Sequence, residues 1–201
     1  PFVFAAALEK GYTAASVLED RPRRYIRARG GLAPSWDPRN YGGIYLGTAS
    51  RRMALAHSRN AATRQLAERV GIHPLIDFAR RMGIRSPLAA DLGTSLGASE
   101  VTLLEIVAAY APFANGGWQW DPRLIIAVTD ADGGVLEFDP PKREPALEPV
   151  LSFLMTSLLQ SVVHEGTAKP LASWGWTRPA AGKPGTPNDR HYHIYDEWWM
   201  V

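Results

Sequence analysis

Residues 102–117 read Thr-Leu-Leu-Glu-Ile-Val-Ala-Ala-Tyr-Ala-Pro-Phe-Ala-Asn-Gly-Gly, one helix with both of its ends marked. Thr102 and Glu105 form a capping box, in which the threonine hydroxyl and the glutamate carboxylate each satisfy an orphan backbone N–H. Leu103, Ile106, Val107, Tyr110 and Ala114 recur at helical spacing and predict the buried face; Asn115-Gly116-Gly117 stops the helix. Upstream, residues 49–71 are helical through Met53, Leu55, Leu66 and Val70, with a break at Ser58-Arg59-Asn60. A further helix over 73–82 has Pro74 in its first turn, Ile76 and Ala79 inward, and Gly83 after its end. The chain opens on another helix, in which Pro1 suits the first turn, Phe2, Ala5, Ala6 and Glu9 follow, and Gly11 stops it. Between these, residues 13–48 read as loop, because Pro22, Pro34, Pro38 and several glycines break every period. Downstream, residues 124–128 and 135–138 flank Asp130-Ala131-Asp132-Gly133-Gly134, a hairpin signal. A helix over 149–164 packs Leu151, Leu154, Met155, Leu158, Leu159 and Val162; strands near 180–187 and 195–201 follow a tryptophan-rich linker. Helices dominate, with a little sheet at the end, so the fold class is α+β.

A chain of 201 residues suffices for one compact domain. At this size roughly 70% of the unfolded surface is buried, so neither disulfide nor metal is needed to hold a core. The net charge of +2 is too small to indicate a nucleic-acid partner. There is no cysteine, which excludes thiol catalysis and thiolate metal sites. No run approaches the ~18 apolar residues that span a bilayer. Pro1 falls where a helix is already under way, and Glu197-Trp198-Trp199-Met200-Val201 reads as an unfinished strand. Residues 1–201 are therefore expected to be a single domain truncated at both ends.

Three places carry candidate chemistry. Ser58-Arg59-Asn60 puts a hydroxyl and an amide two residues apart where a helix breaks, although serine and asparagine also serve there as plain caps. Ala181-Gly182-Lys183-Pro184-Gly185-Thr186 sets a lysine and a threonine in a strand of small residues, where another backbone can approach closely. Asp189-Arg190-His191-Tyr192-His193, with Asp196 and Glu197, has ligand types for zinc; no third ligand has a spacing that fixes it, and a polar turn explains the segment at least as well. No metal and no cofactor is expected. A serine triad on Ser58 is rejected, since adjacent His57 points elsewhere on a helix. The cluster Arg21, Arg23, Arg24, Arg27 and Arg29 reads as a solvated loop in preference to an anion site.

In their order and surroundings these pieces resemble the transpeptidase domain of class A, bifunctional penicillin-binding proteins, over nearly the whole chain. Pro1 to Glu9 resembles the helix after the family's S-x-x-K, and Asn40-Tyr41 with Gly47 resembles the approach to its second motif. Ser58-Arg59-Asn60 matches S-x-N, residues 96–117 match the family's long helix, and Gly166-Thr167-Ala168 matches a turn before the third motif. Gly182-Lys183-Pro184-Gly185-Thr186 stands where G-K-T-G-T belongs, with Asp196 and Trp198 where the next strand starts. The resemblance implies a helix-rich fold like that of the serine β-lactamases, with an incomplete antiparallel sheet. It implies acyl transfer through a serine, which attacks the bond between two D-alanines of a peptidoglycan stem peptide and is blocked by β-lactams. On that pattern Ser58 relays a proton, Asn60 holds the donor amide, and Lys183 supplies charge for the donor carboxylate. Gly185 and Thr186 line the substrate, with the Thr186 N–H as an oxyanion donor of the kind worth roughly 3 kcal/mol of barrier. A membrane-anchored parent with a glycosyltransferase domain, on the outer face of the bacterial inner membrane, is implied as well.

Two departures stand out. The lysines are Lys10, Lys142, Lys169 and Lys183, and none has a serine three residues before it, so S-x-x-K is absent and the isolated chain is expected to be inactive. Pro184 replaces the threonine of K-T-G, removing a hydroxyl and a backbone N–H; the fold is expected to tolerate it on an open strand edge and substrate binding to weaken. The segment 190–195 is also longer than the family's turn. The alternatives are a degenerate, non-catalytic relative and a serine β-lactamase; outside the fold, the arginine loop offers an anion-binding protein.

Overall fold

In a computed structural model of the chain, residues 1–23 and 39–185 are described, together with the backbone of 197–200. The order is α1 (Phe2–Glu9), β1 (Val17–Asp20), β2 (Gly47–Ser50), α2 (Arg51–Ala56), α3 (Asn60–Val70), α4 (Ile72–Arg81), α5 (Leu103–Ala114), β3 (Trp118–Trp120), β4 (Ala127–Thr129), β5 (Val135–Phe138), β6 (Arg143–Pro145), α6 (Pro149–His164), β7 (Gly182–Gly185) and β8 (Glu197–Met200).

The molecule is built around α1. Val3 to Leu8 are all buried, and a helix apolar on every side belongs in an interior. It packs on α3, α4 and α6. At its first turn the Phe2 ring meets Tyr110 edge-on at 5.9 Å, with Phe78 and Phe113 at 6.4 and 6.0 Å. Such ring contacts join α1 to α4 and α5 with about 0.5–1.5 kcal/mol each beyond plain burial.

The fold is helix-rich α+β as expected, and its sheet content is four small antiparallel pairs among the described residues, β1–β2, β3–β6, β4–β5 and β7–β8. The loop expected over 13–48 contains β1 and, at its end, β2, in register from Val17↔Ser50 to Asp20↔Gly47. The inward positions of β1 are Leu18 and Asp20, and a buried carboxylate erases the apolar alternation by which a four-residue strand is found.

The expected hairpin is the tip of a longer arm. The β3–β6 pair, unforeseen at three residues a strand, continues it toward the core through the Asp121 N–H, which donates to the Lys142 carbonyl at 3.3 Å. At the root, Gly117 has φ +95° and its carbonyl accepts from Ala146 and Leu147 at 2.9 and 3.0 Å. A Cβ there would lie 1.8 Å from the Leu147 oxygen, so only glycine fits. Leu124, Ile126, Leu136 and Phe138 stand exposed along the arm.

The Thr102–Glu105 capping box is present. The buried face of α5 is Ala109, Tyr110, Pro112 and Phe113, whereas Leu103, Val107 and Ala114, expected inward, are exposed. The helix is apolar nearly all round, so its sequence does not single out one stripe; the stripe is set by its neighbours, α6 and, through Phe2, α1. The Ser152 hydroxyl of α6 lies 2.8 and 2.9 Å from the carbonyls of Pro112 and Phe113 and shares its hydrogen between them, tying α6 to the end of α5.

Candidate active site

Ser58 occupies the turn between α2 and α3 with φ +51°, the only positive φ outside glycine among the described residues. A serine in the left-handed region is held there by its surroundings. Its N–H donates to the Leu55 carbonyl at 3.1 Å and that of Arg59 to Ala54 at 2.9 Å. Asn60 opens α3, half-buried, and its Nδ2 donates to the Arg39 carbonyl at 3.0 Å. Neither side chain caps α3, so the plain capping reading of Ser58 and Asn60 does not hold.

The cap comes from elsewhere. Asn40, 3% exposed, accepts the Ala61 N–H at its Oδ1 at 3.1 Å. Its Nδ2 donates to Asp20 Oδ1 at 2.6 Å and to the Ile44 carbonyl at 3.0 Å. Asp20, fully buried, also accepts the Leu46 N–H at 2.9 Å, and Arg59 Nε lies 3.9 Å from it. A buried carboxylate is tolerable only when so bonded. Asp20 and Asn40 therefore fix the Ser58–Asn60 turn from behind. Sequence reasoning placed Asn40 on the approach to the second motif without this bonding role and missed Asp20; the available signal was an acidic residue at the inward position of a short strand.

Lys183 stands on β7, half-buried, opposite Trp199. Burial pulls its ammonium down to about 8, and Nζ donates to the Pro184 carbonyl at 2.7 Å. Lys183 stands near Pro1, at the head of α1. Pro184 faces Trp198 in the ladder, and Gly185 faces Glu197. Among the described residues β7 pairs on one side only, with β8, and a proline is tolerated where a strand edge is unpaired. Thr186 and the turn with Asp189, His191, His193 and Asp196 lie outside the described residues.

The site so assembled has a hydroxyl and an amide in one constrained turn, and a desolvated lysine beside the head of a buried helix. α6 links the two parts, packing on both α2 and β7. This arrangement can bind an anionic group at Lys183 and orient an amide at Asn60, the needs of acyl transfer from a peptide with a terminal carboxylate. Fold and site together define a helix-rich α+β domain with a constrained polar turn and a desolvated lysine on elements that share α6.

Residues 1–200 match the family of the penicillin-binding protein transpeptidase domain, and the chain belongs to that family. It is 35% identical over 206 residues to penicillin-binding protein 1A of Neisseria gonorrhoeae, covering all of this chain and 25% of that protein. Penicillin-binding protein 1A of Aquifex aeolicus is 33% identical over 200 residues, with 100% and 26% covered. The crystal structure of penicillin-binding protein 1A from Haemophilus influenzae superposes with a TM-score of 0.85 at 28% identity, over 94% of this chain and 33% of that one. Penicillin-binding protein A of Mycobacterium tuberculosis, solved as a ceftriaxone acyl-enzyme complex, gives 0.79 at 27% identity, over 100% and 49%. The chain thus spans about a quarter of the length of the curated relatives it matches.

Proposed function

We propose that residues 1–201 form, as a single domain truncated at both ends, the part of a peptidoglycan D,D-transpeptidase that holds its second and third motifs, with the serine nucleophile supplied by an S-x-x-K segment ahead of Pro1. The observation that carries this reading is that α2, which leads into the Ser58–Asn60 turn, and β7, which bears Lys183, pack on the same helix, α6. The acyl donor is a stem peptide ending in D-alanyl-D-alanine: the serine oxygen attacks the penultimate carbonyl, the terminal D-alanine leaves with the proton relayed through Ser58, and an amine from a neighbouring strand takes the acyl group. Asn60 orients the donor amide, Lys183 holds its carboxylate, and Gly185 with Thr186 lines the acyl carbonyl. β-Lactams enter the same place, as the ceftriaxone acyl-enzyme of the mycobacterial relative supports. The setting is the extracytoplasmic side of a bacterial inner membrane, in a longer, membrane-anchored protein with a glycosyltransferase domain; no helix among the described residues is long and apolar enough to cross a membrane.

The test is covalent labelling by a fluorescent penicillin of a protein carrying S-x-x-K ahead of Pro1. Stable labelling that is lost in Asn60→Ala and Lys183→Ala is expected, and none on residues 1–201 alone. Pro184 favours one rival: labelling that appears only after Pro184→Thr makes this a degenerate, non-catalytic relative. Labelling that hydrolyses within minutes makes it a β-lactamase.

A further inference from the structure

The two halves of the candidate site belong to segments more than a hundred residues apart, and α2, which leads into the Ser58 turn, has only six residues. So short a helix has no stability of its own; its place is set by what holds it. Two fastenings, one at each end, run to the same partner. At the first turn, Arg52 Nη1 donates to the Ser157 carbonyl at 2.8 Å and to Ser161 Oγ at 2.9 Å, while Nη2 donates to Ser157 Oγ at 3.1 Å. A planar guanidinium making three bonds to one helix fixes direction as well as distance. At the last turn, the Ala56 carbonyl accepts the Thr167 N–H at 2.9 Å, from the turn that closes α6. That approach depends on Gly166, where a Cβ would lie 2.1 Å from the Ala56 oxygen and 2.9 Å from Val162 Cα. Ser58 follows Ala56 by two residues, and β7 with Lys183 packs against the same α6.

We infer that the C-terminal half of α6 and the Gly166-Thr167 turn form a brace that sets the Ser58–Asn60 turn relative to Lys183, with Arg52 as a positioning residue that touches neither substrate nor nucleophile. Rotation or sliding of α2 on α6 shifts Ser58 against the lysine strand without unfolding either. The inference rests on the transpeptidase reading for its effect on acylation, and on geometry alone for its effect on the turn.

The experiment uses the protein with S-x-x-K ahead of Pro1 and two readouts: amide hydrogen exchange at Ser58, Arg59 and Thr167, and β-lactam acylation resolved into a binding constant and an acylation rate constant. In Arg52→Gln, exchange at Ser58 and Arg59 is expected to quicken at least tenfold and the acylation rate to fall at least tenfold, with the binding constant changed less than threefold. Arg52→Lys, which keeps the charge and loses the fork, restores little of either. Ser157→Ala/Ser161→Ala reproduces a smaller part of both effects and decides the matter should Arg52→Gln fail to fold. Exchange and acylation that stay at the unsubstituted values, or a binding constant and rate that fall together with the folded fraction, overturn the brace. If the unsubstituted protein is not labelled, the transpeptidase reading has failed, and exchange at Ser58, Arg59 and Thr167 alone decides the brace.

Discussion

Stability and chemistry fall on different residues of the Ser58 turn. Asn60 carries the proposed role in binding the donor, yet it is half-buried and its amide makes one bond to a backbone carbonyl. Asn40 has no role in the chemistry, yet it serves three groups in the interior, the Ala61 N–H, the Asp20 carboxylate and the Ile44 carbonyl. Truncating it leaves α3 without its cap and withdraws a donor from a buried carboxylate. Asn40→Ala is therefore expected to lower stability by about 2–3 kcal/mol. Asn60→Ala is expected to lower it by less than about 1 kcal/mol while abolishing penicillin labelling. Urea unfolding of both variants checks this, with midpoints shifted and slopes unchanged; equal shifts would show that the turn does not divide its work in this way. The S-x-N spacing was legible because two residues apart is a local relation. The Asp20–Asn40 pair was not, because a hydrogen bond across 20 positions leaves no period in a sequence.

Among the elements, the helices were legible, as were the β4–β5 hairpin, β7 and β8, whereas β1, β2, β3 and β6 were not. A helix announces itself through caps and recurrence over three or four turns, as the Thr102–Glu105 box did for α5. A strand of three or four residues, as in β1, β3 and β6, offers at most two inward positions, and tertiary pairing decides the rest. The α5 cap also extends beyond its own helix. Glu105 accepts the Ser86 hydroxyl at 2.6 Å, the Thr102 N–H at 3.0 Å and the N–H groups of Arg85 and Ser86 at 2.8 and 2.7 Å. The Ser86 hydroxyl first, then the backbone donors, hold its carboxyl at about 2 against an ordinary 4.5. A folded value below the unfolded one means that its stabilisation is complete above about 4.5 and is lost as pH falls toward 2. Glu105→Gln is thus expected to lower the melting temperature at pH 7 and to differ progressively less from the parent below pH 4; a constant difference from pH 2 to 7 would refute the assignment. At the arm root, Gly117→Ala meets the Leu147 carbonyl and a positive φ together. About 2–3 kcal/mol of destabilisation is expected, measured by urea unfolding.

At the scale of the whole molecule, the order of weak motifs along the chain was the legible quantity, and the packing of α2 and β7 on one helix, α6, required the fold. A lysine followed by proline in a strand says nothing of the head of a helix some 180 positions away; α1 and β7 come near each other because both pack on α6. The arrangement stores a penalty. Burial lowers the Lys183 ammonium from an ordinary 10.5 to about 8, so its charged form is less favourable in the folded chain than in the unfolded one. Between those values the unfolded chain holds more protons, and this group's contribution to stability rises with pH, from its least favourable level below about 8 to its full relief above about 10.5. In the proposed role, that charge is what holds the donor carboxylate. Lys183→Met is accordingly expected to be more stable than the parent at pH 7, with the advantage shrinking from pH 8 to 10.5, and at the same time unlabelled by penicillin. Denaturant unfolding of the pair at pH 7, 8, 9 and 10 measures the first effect. A Lys183→Met variant that is less stable than its parent across that range would mean that the lysine is held by partners that favour its charge, and that its desolvation beside α1 has been misjudged.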